Sequence, residues 1–264
     1  MEQFQRTKIL IGEDAFKILQ HSKVAIFGIG GVGSYAAEGL ARAGIGSFVL
    51  VDNKCVDITN INRQIHSTMS TVGKLKVNVM KERIMDINPN ADVTIYNQFV
   101  SSNNVYELLR PDYDYVVDAI DTVQNKIELI SVAKSLGIPI ISSMGAGDKL
   151  DPTKFTVADI YSTTICPLAK IMRKELKKRG VDSLKVVYST EKPVKKHHYN
   201  NIKNNDVSVD NNDNVELCNN PNGKDNENRI IGSISFVPSV AGLIIAGEVV
   251  NDLIKKQSNT RVSH

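Results

Sequence analysis

Three glycines, Gly28, Gly30 and Gly33, follow the short apolar run Lys23–Phe27 and open a stretch with helical spacing. Glycines in this GxGxxG pattern permit a tight turn. They let backbone N–H groups approach a phosphate, and the helix N-terminus adds partial positive charge. Gly31 lies inside the same turn. Asp52 ends the next apolar run, about 20 residues on, where a carboxylate can take a ribose hydroxyl. Close packing of helix on sheet would use the same glycines, but the strand–turn–helix context favours a nucleotide. It does not say which one.

The following segment discriminates. Asn60-Ile-Asn-Arg63-Gln64 comes soon after Asp52, and Gly73-Lys-Leu-Lys76-Val77 opens a further helical pattern. An oxidoreductase that holds a diphosphate has no evident need for several cations there, whereas an enzyme that cleaves a triphosphate does. Arg63 offers a two-pronged fork and Lys76 a compact charge, both suited to phosphate oxygens. Asp121, just past the apolar run Tyr115–Asp118, can hold a magnesium ion through its carboxylate. Asn125 and Lys126, early in the next helical stretch, could face the nucleotide, Lys126 as a phosphate contact. Each has a plainer alternative, Arg63 and Lys76 as solvated charges and Asp121 as a helix N-cap. Together around one sheet edge they favour ATP with magnesium.

The elements that must position these residues alternate. Strands are expected at Lys23–Phe27, Ser47–Val51, Val93–Tyr96, Tyr115–Val117 and Ile138–Ile141. Helices are expected over Val32–Ala43, through Val77, Met80, Ile84 and Ile87, and over Val123–Leu136. Such alternation predicts an α/β, Rossmann-like fold with a mostly parallel sheet and helices on both faces. A first helix, Glu13 to Gln20, is expected outside that unit. After Gly145-Ala-Gly147 come extra elements: a strand over Phe155–Tyr161, a basic helix over Pro167–Arg179 and a strand over Lys185–Ser189. Residues 195–229 are Asn- and Asp-rich and read as a flexible loop inserted in one domain spanning 1–264. Ile231 to Val237 reads as a buried strand, followed by a turn at Pro238 and a core helix from Ser239.

The composition is that of an ordinary soluble domain, 42% hydrophobic and 23% charged, with a net charge of +3 and a pI near 8.6. A polyanionic partner is permitted, not demanded. Cys55, Cys166 and Cys218 are far apart with no CxxC pair, which argues against a disulfide framework and fits a reducing cytoplasm. No signal peptide is read at the N-terminus. The charge-free stretch Ile230–Gly247 is broken by glycine, serine and proline, so a core segment is favoured over a membrane span, although a loose membrane association would fit it.

The series GIGGVGS, a strand-end aspartate, NxNRQ, GKLKV, INP and DAID resembles the superfamily of ubiquitin-activating-type enzymes, which adenylate a carboxylate with Mg-ATP. The resemblance runs from about Phe4 to Leu253, apart from the insertion. It implies an ATP site built from the glycine loop, Asp52, Asn60, Arg63, Gln64, Lys76 and Asp121, with Asp121 towards magnesium. Arg6 matches an arginine that reaches the partner subunit's ATP, which would imply a homodimer. Further runs, Gln5–Gly12, Asn60–His66, Gly145–Pro152, Pro167–Gly180 and Val187–Glu191, resemble the tRNA threonylcarbamoyladenosine dehydratases. That family activates the threonyl carboxylate of a modified adenosine in tRNA and closes a ring with loss of water. The resemblance leaves room for a sulfur-transfer partner protein, and no DNA partner is expected.

Two features support a tRNA acceptor over a carrier-protein Gly-Gly carboxylate. Activators of sulfur carriers commonly hold zinc with two CxxC pairs, which this sequence lacks. Lys170, Arg173, Lys174 and Lys177 fall at i, i+3, i+4 and i+7 of one helix, a basic face suited to an RNA backbone. Lys192, Lys195 and Lys196 add charge nearby in sequence. A solvated face would carry the same charges. Cys166 at the start of that helix could be a nucleophile or a small buried residue. His66 follows the NxNRQ run without a decided role, and His197-His198 lack further ligands at metal spacing.

Overall fold

The computed structural model describes residues 2–194 and 231–261. Among these, seven strands form one sheet: β1 (Lys23–Phe27), β2 (Ser47–Val51), β3 (Asp92–Tyr96), β4 (Tyr115–Asp118), β5 (Ile140–Ser143), β6 (Phe155–Asp159) and β7 (Lys185–Ser189). Their spatial order is β3-β2-β1-β4-β5-β7-β6. Every neighbouring pair is parallel except β6 with β7. The helices are α1 (Gln5–Ile11), α2 (Glu13–His21), α3 (Gly33–Ala43), α4 (Lys76–Ile87), α5 (Val105–Leu108), α6 (Val123–Ser135), α7 (Pro167–Lys178) and α8 (Phe236–Arg261).

The strands are short, continuous apolar runs because both faces are covered. Their side chains alternate between two cores. Val24, Ile26, Phe48, Leu50, Val117 and Val187 point to the layer of α3, α4 and α8. Ala25, Phe27, Val49, Val51, Val116 and Val186 point to the layer of α5, α6 and α7. The expected Rossmann-like architecture is therefore present, and the two late strands extend the same sheet. At the C-terminal ends of β1 and β4 the chain leaves in opposite directions, towards α3 and α6. This is the crevice where open α/β sheets bind ligands.

Several expectations are corrected. Residues 231–235 form no strand. α8 begins at Phe236 and Pro238 lies inside its first turn, where a backbone N–H has no helical partner to lose. Gly242 and Gly39 let α8 press on α3: a Cβ on Gly242 would fall on Val32 O, and one on Gly39 would lie 2.8 Å from Ala246 Cβ. Phe236–Lys255 is long and apolar enough to span a membrane, yet half of it is buried inside the protein. Burial of Val237, Ala241, Ile245 and Val249 makes it a core helix. β5 starts at Ile140, not Ile138. α2 is part of the main core, since Phe16 and Leu19 are fully buried. The inserted segment 195–229, with His197, His198 and Cys218, lies outside the described residues.

One aspartate closes the chain where the described residues break off. Asp148 O accepts from Val194 N and Asp148 N donates to Gly232 O, both at 2.8 Å. Its carboxylate accepts from Gly232 N, also at 2.8 Å. Asp148 adopts φ 56°, a left-handed conformation that Asp tolerates better than most residues.

Candidate active site

The glycine turn is built by contact. Gly28 has φ 89°, and a Cβ there would lie 2.6 Å from Ala119 O at the end of β4. A Cβ on Gly33 would fall on Gly28 O. Gly31 sits beneath Pro238 of α8 and the Arg63 side chain. Gly30 faces open space. The turn is therefore open at Gly30, while its other side is locked to β4, α3 and α8.

Asp52 at the end of β2 ties this turn to the next loop. One carboxylate oxygen accepts from Ile29 N at 2.7 Å and the other from Lys54 N at 2.8 Å. The loop after it is fastened back to the start of α4: Val56 N donates to Lys74 O, Gly73 N to Val56 O, and Lys76 N to Lys54 O. Asn60 is buried and caps a short turn, its side-chain oxygen accepting from Asp57 N. Gln64 is buried beside Ser67. Arg63 is half-buried and donates to Thr59 O at 2.8 Å and Asn62 Oδ1 at 2.9 Å. Asn62 in turn donates to Ser233 O, joining this loop to the approach of α8.

These elements converge on Lys76, which is 4% exposed. Burial pushes its pKa down, against the pull of Asp52 and with a further push from Lys54. Asp121 and Arg63 also act on it, so all four groups share its neighbourhood. Among the described residues no acid forms an ion pair with the Lys76 ammonium. A buried cation held near several charges but matched to none is costly unless an anion arrives.

Asp121 lies across the crevice, its side chain 74% exposed and 3.0 Å from Lys54 Nζ. What burial there is raises its pKa, but the Lys54 charge and hydrogen bond outweigh this and hold it below the usual carboxylate range. Lys54 was not anticipated. Its signal was available, a cation two residues past the strand-end Asp52. His66 is 2% exposed, and neither ring nitrogen has a hydrogen-bond partner among the described residues. Burial, with Lys76 and Arg83 nearby, pushes its pKa down to about 3.

Other expected residues fall away from this cluster. Lys126 is fully buried, with Nζ 2.7 Å from Asp118 Oδ2 and 3.1 Å from Ser142 Oγ. This placement lacks the exposure expected of a phosphate contact. Asn125 is also buried, with its amide nitrogen unpartnered among the described residues. Arg6 is exposed on α1. On α7, Lys170, Lys174 and Lys177 are exposed, whereas Arg173 turns inward to donate to Thr163 O and Oγ1. Cys166 is a buried free thiol at the N-cap of that helix.

The ThiF family model matches residues 4–263. The chain belongs to the ThiF family. It is 42% identical over 264 residues to a tRNA threonylcarbamoyladenosine dehydratase of Bacillus subtilis, covering 99% of this chain and 98% of that relative. The crystal structure of the E. coli tRNA N6-threonylcarbamoyladenosine dehydratase in complex with ATP superposes with a TM-score of 0.81 at 33% identity, over 98% of this chain and 96% of that one. Similarity to an adenylyltransferase and sulfurtransferase of Saccharomyces cerevisiae is 34% and spans 49% of this chain and 29% of that relative.

Proposed function

We propose that this ThiF-family chain is an ATP-dependent dehydratase that cyclises N6-threonylcarbamoyladenosine in tRNA by adenylating its threonyl carboxylate. The observation that carries the ATP half is Lys76, a nearly buried ammonium without an ion pair among the described residues, set near Asp52 and Arg63, which both touch the glycine turn. Near-full-length similarity to dehydratases of this name supports the acceptor. In the first step a carboxylate oxygen attacks the α-phosphorus and pyrophosphate leaves. In the second, an atom of the substrate itself closes the ring at the acyl carbon and AMP leaves, so no protein nucleophile is required. That leaves Cys166 as a core residue.

In this reading the Gly28–Gly33 turn, with Gly30 and Gly31, cradles phosphates through backbone N–H groups. Asp52 holds the ribose while bracing Ile29 N, and Asn60 and Gln64 shape the loop from which Arg63 reaches phosphate. Lys76 meets the charge that builds on the phosphates in the transition state. An exposed carboxylate such as Asp121 fits magnesium, which commonly takes one or two protein carboxylates with waters and substrate phosphates. The ion would neutralise triphosphate charge, and Lys54 would release Asp121 to it. Arg6, exposed on α1 with Ile9 and Leu10, suits a role across a homodimer. Lys170, Lys174 and Lys177 suit a tRNA backbone. A cytoplasmic location follows from a tRNA substrate, with α8 as a core helix.

Pyrophosphate exchange separates the acceptors. Exchange with tRNA bearing the modified adenosine, and none with a Gly-Gly carrier protein, is expected. Exchange with the carrier alone would overturn the reading. The absence of CxxC pairs and the half-length similarity to the sulfurtransferase favour the tRNA acceptor.

A further inference from the structure

Beneath the crevice lies an ion pair that the chemistry above does not use. Asp118 ends β4, Lys126 is in α6 and Ser142 is in β5, and all three are fully buried. Asp118 Oδ2 accepts from Lys126 Nζ at 2.7 Å and from Ser142 Oγ at 2.6 Å. Lys126 Nζ also lies 3.1 Å from Ser142 Oγ. The other carboxylate oxygen, Oδ1, accepts from Ile120 N at 3.2 Å. Stability is a poor reason for such a group, because desolvation of both charges offsets most of their attraction and apolar residues of similar size often do as well.

Its location is more informative. The backbone held through Ile120 N is the turn 118–121. On one side this turn supplies Ala119 O, against which Gly28 is packed, and Ala119 N donates to Phe27 O at 2.8 Å. On the other side it carries Asp121 into the crevice. Lys126 reaches it from the first turns of α6 and Ser142 from β5, so three elements meet on one carboxylate. The turn is thus fixed in position by charge as well as by packing.

We propose that Lys126 is a positioning residue: by clamping Asp118 it fixes the turn that sets Asp121 against the glycine loop. The inference rests on the ATP-site reading above. It differs from a phosphate contact in what it predicts. A ligand that binds ATP equally in the ground and transition states would mainly change KM when removed, whereas a displaced turn misplaces the reacting groups and mainly changes kcat.

The test removes both charges together with the paired change D118N and K126M, so that no lone charge is left buried. AMP release is measured with ATP and tRNA bearing the modified adenosine. We expect a melting temperature near that of the parent, kcat lower by about a hundred-fold and KM for ATP changed by less than about three-fold. Ser142→Ala keeps the ion pair and removes both contacts of Ser142 Oγ, to Asp118 Oδ2 and to Lys126 Nζ, with an expected kcat loss of about five-fold. Parent-like turnover in the paired variant overturns the proposal, as does a raised KM with kcat intact. If the paired variant fails to fold, Ser142→Ala decides: a lower kcat at unchanged melting supports the clamp, and parent turnover rejects it. Lys76→Ala is run alongside. If Lys76→Ala retains turnover, the ATP-site reading fails. If it is inactive while the paired variant is normal, only the clamp fails.

Discussion

Lys76 and His66 sit side by side in the interior with opposite consequences. The Lys76 side chain lies near Asp52 and Asp121 and has no ion pair among the described residues, so an incoming polyphosphate completes it. Lys76→Ala should lower AMP formation by about a hundred-fold or more, the scale of losing one preorganised charge. The fold should be unaffected, which circular dichroism and melting would check. An unchanged rate would remove Lys76 from the chemistry. His66 has the reverse problem, since a proton on it would be buried between cations. Its folded pKa of about 3 lies below the ordinary histidine value of 6.5. The unfolded chain therefore binds the proton more readily between those values. Stability contributed by neutral His66 is complete above about pH 6.5 and is lost as pH falls towards 3. His66→Gln, which cannot titrate, should flatten the fall in melting temperature between about pH 7 and 4, and an identical slope would refute the assignment. Residue types and spacing made Asp52, Arg63, Lys76 and Asp121 legible as site candidates, because Asp52 and Asp121 follow strands, Lys76 opens a helix and Arg63 lies in the loop between them. Lys126 was not legible in that way. A lysine five residues past Asp121 reads as exposed, and only the fold reveals Asp118 and Ser142 around it.

The helix α3 and its glycine turn are assembled by backbone contacts too close for side chains. Gly33→Ala would place a methyl group on Gly28 O, so the turn must open or α3 must shift. We expect the variant to lose nucleotide affinity by at least about ten-fold by calorimetry, with a stability loss of about 1–3 kcal/mol from overpacking. Parent affinity would show that the turn does not meet the ligand. The same logic explains which elements could be read in advance. β1, β2 and β7 were plain because continuous apolar runs of strand length are bounded by turns. The stretch before α8 misled because Ser233-Ile-Ser-Phe236 alternates polar and apolar residues, a strand-like period. What overrides that period is packing. Gly31 lies under Pro238, and Gly242 lies against Val32 and Tyr35, which seats the segment as a helix on α3.

At the level of the whole molecule, the exposed lysines of α7 and the exposed Arg6 make separate predictions. Replacing Lys170, Lys174 and Lys177 together by alanine should reduce the dependence of log affinity for tRNA on log salt by up to about 2–3, near one unit for each phosphate no longer neutralised. ATP affinity should be unchanged, and filter binding across salt would decide. An unaltered slope would make α7 a merely solvated face. If Arg6 acts across a dimer, mixtures of inactive Arg6→Ala and inactive Lys76→Ala chains should recover part of the activity, and no recovery would confine the site to one chain. The clasp at Asp148 has a further consequence. Because Val194 and Gly232 are both tethered to a single residue, the chain enters α8 from a point fixed before the intervening residues begin. The cost of closing that span then grows only slowly with its length. Lineages could lengthen, shorten or replace it without retuning the core, and a designer could use it as an insertion port.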